Sequence, residues 1–467
     1  MHLSHEEEED YNLSLSKFES MLKTNKVFFF DSEEFEEIIL HYLDMGKTSL
    51  AKKALKLALE QHPKSSGLKL VQVEMMIYDD KLEIAEKLLN EVYAIEPQND
   101  EVFILRANIY SKKDQHEKAI EYLEEALKYT EAPGEVYNLI GMENLLMDNL
   151  EMAKINFIKC INEDIEDQMA LYNIVYCFEF QEQNEEAIEY LQNYIEKNPY
   201  SEIAWHQQGR LSYNIKDYKN ALRCFDYATI IDDTFVGAFI EKGKALEKLK
   251  RYDEAIECFL NATELDDPTS YVLLRIGKCN EKLGNKAEAL KYYNQTVHED
   301  PLLDKGWIAI TDFYIRLSNF QQALYFVNKA LAIDNENQYY WNRYASINRQ
   351  MGFYEEAEYG YQKAVEHGDY QLNTWLHWSD ILQFIGEFDT AVHTLLKGIE
   401  YYPEKYEIEY RLAGLYYMLG DYEKGKYHLY SGMHLSYKNK RLLEELFPVV
   451  YNRKTVIDDI ANFNNKR

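Results

Sequence analysis

Alanine returns every 34 residues in this chain, at Ala51, Ala85, Ala119, Ala153, Ala187, Ala221, Ala255, Ala289, Ala323, Ala357 and Ala391, and Gly425 continues the comb. A period of that length holds two helices and their turns, and such units bury their apolar faces only by stacking on one another. Framed on the alanine, units begin at 32, 66, 100, 134, 168, 202, 236, 270, 304, 338, 372 and 406, the last ending near 439, with no insertion or deletion. Almost no length remains for a separate catalytic domain.

Other columns keep the same phase. The fourth place of each unit is often a ring: Phe35, Phe103, Tyr137, Trp205, Phe239, Trp307, Trp341 and Trp375. Four places later come compact residues, among them Ala107, Gly141, Gly209, Gly243, Gly277, Ala345, Ser379 and Ala413. A further column holds Leu55, Leu89, Leu123, Phe157, Leu191, Phe225, Phe259, Tyr293, Tyr361, Leu395 and Leu429. Antiparallel helices approach closely only where side chains are small, and bulky groups fill the space beside the crossing. The sixth unit therefore predicts helices over Ile203 to Ile215 and Tyr218 to Ile230, with Lys216 and Asp217 in the turn. Pro63, Pro97, Pro199, Pro301 and Pro403 stand where second helices must stop.

These columns resemble the tetratricopeptide repeat family. The matching residues include Trp205, Gly209, Ala221, Phe225 and Ala228; Phe239, Gly243, Ala255, Phe259 and Ala262; and Ile276, Gly277, Ala289 and Tyr293. The match weakens in units two and four, where Lys69 replaces the early ring and Asn144 the middle tyrosine. The resemblance implies an all-α fold, an alpha-alpha superhelix (TPR solenoid) of about twelve 34-residue helix-turn-helix repeats with capping helices. It implies an acidic N-terminal segment with a capping helix over 1–31, the array over 32–439, and C-terminal capping helices over 440–467. At the start, Asp10 to Leu22 is the candidate cap, and the glutamates before it are expected to be solvated. At the end, Asn439 to Leu446 and Thr455 to Asn462 read as helices separated by Pro448. Gly398, Gly425 and Gly432, at small columns of the last two units, predict an end that frays more readily.

The 81 acidic residues against 51 basic ones give a net charge of -30, which opposes nonspecific attraction to nucleic acid or an anionic membrane. No apolar run approaches membrane-spanning length. Met1 to Tyr11 lacks the basic-then-apolar order of a signal peptide, so a cytoplasmic protein is expected. Cys160, Cys177, Cys224, Cys258 and Cys279 have neither zinc-ligand spacing nor disulfide density, so no metal or cofactor is expected.

In structures of the family the first helices line a concave groove, which directs attention to their exposed columns. One column reads Arg210, Lys244 and Lys278, followed by Asp312 and Asp380, with Arg275, Lys282, Arg316 and Arg343 nearby. Such a basic track suits a carboxylate-rich peptide, and arginine, with two donors, is the better specificity residue. Glu179, Glu247 and Glu281 are close enough in sequence pattern to neutralise it. A second candidate is aromatic: Tyr172, Tyr176 and Phe180 recur every four residues, and Tyr213 extends them into the next unit. Packing between units is the plainer use of that strip. Asn138, Asn173 and Asn342 are candidates to bond an extended peptide backbone. Some family members bind chaperone tails through a carboxylate clamp of lysine, asparagine and arginine. Here Glu36, Leu40 and Glu101 occupy matching places, so that clamp is not expected.

Catalytic motifs are missing from the sequence. The span from Gly237 to Lys244 departs from a phosphate loop in spacing and lies inside a repeat helix, where backbone amides are already used. His206, His377 and His393 are scattered, and Glu254 with Glu257 lacks a pocket. The sequence thus points to a protein-interaction scaffold that binds one or more polypeptides along its groove, acidic ones among them, and is not an enzyme. The alternatives are a structural subunit of a larger assembly or a regulatory peptide-sensing scaffold. Oligomeric state is not legible.

Overall fold

The computed structural model describes residues 5–24, 28–267 and 269–465, all of it helix, turn and loop. The side chains of residues 1–13 are not among those described, so the expected solvation of Glu7, Glu8, Glu9 and Asp10 lies outside them. The chain forms two compact units, 1–233 and 234–467. The first holds α1 (His5–Thr24) and six hairpins: α2 (Ser32–Asp44) and α3 (Thr48–Gln61), α4 (Ser66–Tyr78) and α5 (Leu82–Ile95), α6 (Asp100–Lys112) and α7 (His116–Ala126), α8 (Pro133–Leu146) and α9 (Leu150–Glu163), α10 (Gln168–Phe180) and α11 (Asn184–Lys197), α12 (Glu202–Asn214) and α13 (Tyr218–Ile231). The second also holds six: α14 (Val236–Lys248) and α15 (Tyr252–Leu265), α16 (Ser270–Leu283) and α17 (Lys286–Glu299), α18 (Asp304–Arg316) and α19 (Phe320–Ile333), α20 (Gln338–Met351) and α21 (Tyr354–Glu366), α22 (Leu372–Ile385) and α23 (Phe388–Tyr401), α24 (Tyr406–Leu419) and α25 (Tyr422–Ser436). A 3-10 turn (Tyr437–Lys440), α26 (Arg441–Leu446), α27 (Pro448–Tyr451) and α28 (Lys454–Asn465) close it. Each unit is a solenoid of stacked helix-turn-helix repeats.

Local chemistry sets the helix starts. Side chains of Ser65, Asp167, Ser201 and Thr269 accept from the backbone N–H three residues on, at 3.3, 2.8, 3.2 and 3.4 Å, satisfying amides that a first turn leaves orphaned. The ring column ties units to their loops: the indole N–H of Trp205, Trp307 and Trp341 donates to the carbonyl of Pro199, Pro301 and Asn335 at 3.0, 2.9 and 2.7 Å. Asn144, the departure noted in unit four, is buried and donates to the Ile140 carbonyl of its own helix at 2.8 Å. Asn280 and Asn348, in the same column, do likewise at 3.0 and 2.9 Å, so a polar residue is housed there without a partner helix.

All eleven comb alanines are fully buried. Beside them runs a volume rule between the compact column and the bulky column sixteen residues later. A Cβ added to Gly141, Gly209, Gly243 or Gly277 would lie 2.5, 2.5, 2.5 or 2.6 Å from the ring of Phe157, Phe225, Phe259 or Tyr293. Where the first residue has a Cβ, the second is aliphatic, as in Ile39 with Leu55, Val73 with Leu89, Ala107 with Leu123, Val175 with Leu191, Thr311 with Val327 and Ala413 with Leu429. Ala345 with Tyr361 breaks the rule, and there the missing volume moves to Gly360, whose added Cβ would lie 2.9 Å from the Ala345 Cβ.

Every hairpin turns through one left-handed residue: Gly46, Asp80, Asp114, Asp148, Glu182, Lys216, Lys250, Gly284, Ser318, Gly352, Gly386 and Gly420, with φ between 55° and 93°. A side chain there costs roughly 1–2 kcal/mol. An added Cβ on Gly386 meets no atom within 4 Å, so its cost is purely conformational. Gly386→Ala is expected to lower stability by about 1 kcal/mol, while Lys216→Gly leaves it unchanged or slightly higher. Equilibrium denaturation of both variants checks the contrast.

Both ends are covered. Phe18 of α1 packs on Phe30, Phe35 and Tyr42, with ring centroids 6.1, 6.3 and 6.1 Å apart. At the other end the expected helices are reordered. Pro448 opens α27, since proline lacks only an amide that a first turn leaves free, and Asn439 belongs to the 3-10 turn. Leu443, Phe447, Val450, Val456 and Phe463 join the core of α24 and α25. The fraying expected from the glycines runs against this packing. Added Cβ atoms on Gly398, Gly425 and Gly432 would lie 3.3, 3.0 and 3.3 Å from Trp375, Tyr417 and Tyr410, so each glycine admits a ring.

Candidate functional site

Consecutive first helices approach one another directly, as α2 with α4, α4 with α6 and α10 with α12 in the first unit and α22 with α24 in the second. Their faces carry the candidate residues, and ion pairs join them from repeat to repeat. Arg210 of α12 lies 3.5 Å from Glu179 of α10. In the second unit Arg275 pairs with Glu247, Arg316 with Glu281 at 2.5 Å, Arg343 with Asp312 at 2.8 Å, and Arg411 with Asp380 at 2.7 Å. Tyr339 reinforces one rung, donating to Asp312 at 2.9 Å and accepting from Arg343 at 2.5 Å. Arg275 and Arg343 also lie over the rings of Tyr271 and Tyr339, 4.9 and 4.5 Å from the centroids. Arginine is thus a brace between neighbouring repeats.

A cleft of about 390 Å³ opens among α14, α16 and α18. Glu247, Arg275, Glu281 and Arg316 form its paired walls, and Lys248, Lys278 and Lys282 also line it. Among the described residues these three lysines have no ion-pair or hydrogen-bond partner. Lys244, by contrast, is held 2.7 Å from Glu241 on its own helix. The Lys278 side chain reaches solvent, yet protein mass crowds its ammonium. That desolvation, then Arg275, lowers its pKa; Glu247 opposes, Lys305 adds to the fall, and Asp312 opposes. Lys248 and Lys282 lie in or beside the last turns of α14 and α16, where a cation also suits the helix dipole.

The aromatic strip stands in the first unit. Tyr176 and Phe180 are exposed, with rings 4.9 Å apart, and Tyr172 is half-buried. Tyr213 packs edge-on against Tyr218 of its own hairpin at 5.2 Å. Two residues that the sequence reading passed over enlarge the strip. Met142 and Leu146 of α8 are exposed in the same columns as Tyr176 and Phe180, and Asn173 donates to the Met142 sulfur at 3.8 Å. Period-34 alignment of those columns was the available signal. Asn342 is taken up internally, donating to Asp369 at 2.7 Å and Thr374 at 2.9 Å. Near the start, burial raises the Glu101 pKa to about 7, followed by the charges of Glu74, Glu36 and Asp100. Clustered carboxylates of that kind repel an anionic ligand.

Residues 240–303, 100–133 and 169–201 each match the tetratricopeptide repeat family. Twelve in-phase hairpins carry the same repeat beyond the matched spans. The chain is a tetratricopeptide repeat protein. It has the architecture of a protein- and peptide-interaction scaffold of that type. Anaphase-promoting complex subunit 3 of Schizosaccharomyces pombe is 26% identical over 159 residues, 34% of this chain and 24% of that protein. The chain thus spans about a quarter of the length of that curated relative. Among solved structures, the APC/C hetero-tetramer Cut9-Hcn1 is 13% identical, with 95% of this chain and 94% of that chain covered and a TM-score of 0.38. YrrB, described as a tetratricopeptide protein with an unusual peptide-binding site, is 22% identical over 40% of this chain and 95% of its own, with a TM-score of 0.31. Among the described residues no helix is long and apolar enough to cross a membrane. No group of three or more His, Cys, Asp or Glu among them is placed to hold a metal ion.

Proposed function

We propose that this tetratricopeptide repeat protein gathers polypeptides on its first helices and that the α14–α16–α18 cleft takes an acidic, carboxylate-bearing segment. The array over 32–439, with 1–31 and 440–467 as its ends, is the binding body in this reading. One observation carries it: the arginines around the cleft are spent on neighbouring carboxylates, while Lys248, Lys278 and Lys282 are unpaired. A cation whose charged form is disfavoured gains most from an arriving anion. Ligand binding raises the Lys278 pKa back toward its ordinary value, so affinity weakens as pH rises through the lowered one. A cytoplasmic setting is supported by five free, buried cysteines.

Fluorescence polarisation of a labelled peptide of alternating glutamate and alanine tests the reading in the full chain. Lys278→Gln with Lys282→Gln is expected to weaken binding about tenfold, with helicity unchanged. Equal affinity of native and variant chains at low salt refutes the site. The likeness to a subunit of the anaphase-promoting complex favours a second reading, a structural subunit of a larger assembly. In that case an affinity-purified native complex retains its composition when the lysines are neutralised.

A further inference from the structure

A second cleft, of about 840 Å³, lies between the first helices α20, α22 and α24 and the 3-10 turn and α26 of the cap. Five cations line it, Arg349, Arg411, Lys438, Lys440 and Arg441, against the carboxylates of Asp380, Glu407 and Glu445. In a chain of net charge -30 this is a local reversal of sign. The five are not equivalent. Arg411 is buried, grips Asp380 with two N–H groups at 2.7 and 3.0 Å and donates to the Glu407 carbonyl at 3.1 Å, so it is structural. Lys440 lies over the Tyr437 ring, 4.5 Å from its centroid, and donates to that hydroxyl at 3.1 Å. Arg349, Lys438 and Arg441 have no carboxylate partner among the described residues.

Two further groups show what the cleft lacks. His377 projects into it half-buried, with the Tyr361 ring 6.2 Å away. Burial, then Arg349, lowers its pKa to about 4; Asp380 opposes, and Arg411 adds to the fall. The imidazole therefore stays neutral near pH 7 in a positive field that Asp380 offsets only in part. Glu407 Oε2, for its part, is buried without a hydrogen-bond donor, and the Tyr406 hydroxyl meets the same carboxylate.

We propose that this cleft binds an oxyanion carried by a polypeptide, a carboxylate or a phosphate, held by Arg349, Lys438 and Arg441. The site uses none of the lysines of the α14–α16–α18 cleft, so either can fail without the other. An arriving oxyanion replaces the missing negative charge beside His377 and raises its pKa. Binding is thus linked to proton uptake and tightens as pH falls through the raised value toward about 4.

Inorganic sulfate, whose charge does not change over this range, is the first probe. In the full chain labelled at histidine, the His377 ring resonance is assigned among the 12 histidines with His377→Gln, and its pKa is followed by NMR with sulfate or with chloride at equal ionic strength. Sulfate is expected to raise that pKa more than chloride does. Arg349→Gln with Arg441→Gln is expected to weaken sulfate binding roughly tenfold or more, and to raise the His377 pKa even without sulfate, because a repelling cation is gone. The second signature reports on a folded cleft. An unmoved His377 resonance in the native chain, or an equal sulfate response in the folded double variant, overturns the proposal. One peptide is then offered in three forms, with a phosphoserine, with a glutamate, and with a free C-terminal carboxylate as its sole anion. Competition with sulfate by one form identifies the source of the oxyanion, and competition by none overturns the polypeptide assignment.

Discussion

Phe259→Ala is expected to destabilise the second unit by roughly 3–5 kcal/mol, and Gly243→Ala, which adds one carbon, by roughly 1–3 kcal/mol. The ring of Phe259 is fully buried and occupies the space that a Cβ on Gly243 would need, at 2.5 Å. Removing the ring leaves a void, and adding the carbon forces the ring off its seat. The volume rule supplies a sharper test: Gly243→Ala combined with Phe259→Leu reproduces the pair found at Ala107 with Leu123 and at Ala413 with Leu429. Most of the loss from Gly243→Ala should then be recovered. Chemical denaturation followed by circular dichroism measures these variants and the single Phe259→Leu. A double variant no more stable than the sum of the single losses would mean that the two columns are not coupled.

Phe447→Ala is expected to cost a similar roughly 3–5 kcal/mol, concentrated in the cap. Its ring sits on Gly414, where an added Cβ would lie within 2.5 Å of three ring atoms. The cap is otherwise tied down by polar contacts: Arg453 to the Tyr417 carbonyl at 2.7 Å, Tyr417 to Asp459 at 3.0 Å, and Gln383 to the Leu446 carbonyl at 3.0 Å. These bonds orient the segment, but the ring supplies the apolar burial. Hydrogen exchange should therefore accelerate in α24 and α26 to α28 of Phe447→Ala, with α14 to α19 unchanged, since repeats couple mainly to their neighbours. Uniform acceleration across the unit would show instead that it unfolds as one block.

Period and steric columns made the hairpins legible: α12 and α13 begin and end within one residue of the sequence reading. What escaped it has physical causes. Glu179, Glu247 and Glu281 were legible as opposing charges, but not which arginine each one meets, because neighbouring first helices are offset: partners stand 31 residues apart in Arg210 with Glu179, 28 in Arg275 with Glu247 and 35 in Arg316 with Glu281. Reading down one column at a spacing of 34 places cations beside cations and leaves the rung-by-rung pairing unresolved. The left-handed turn column was masked by Asp, Glu, Lys and Ser at places where glycine would have announced it. At the cap, Pro448 was read only as a stop, although proline fits the first turn of a helix as well as it ends one.

Hydrogen exchange of the full chain with and without the alternating glutamate–alanine peptide tests most directly whether the first helices are the binding face. Protection is expected in α14, α16 and α18 around Lys248, Lys278 and Lys282, with the second helices α15, α17 and α19 unaffected and the effect lost on neutralising Lys278 and Lys282. Protection confined to the second helices would contradict the account.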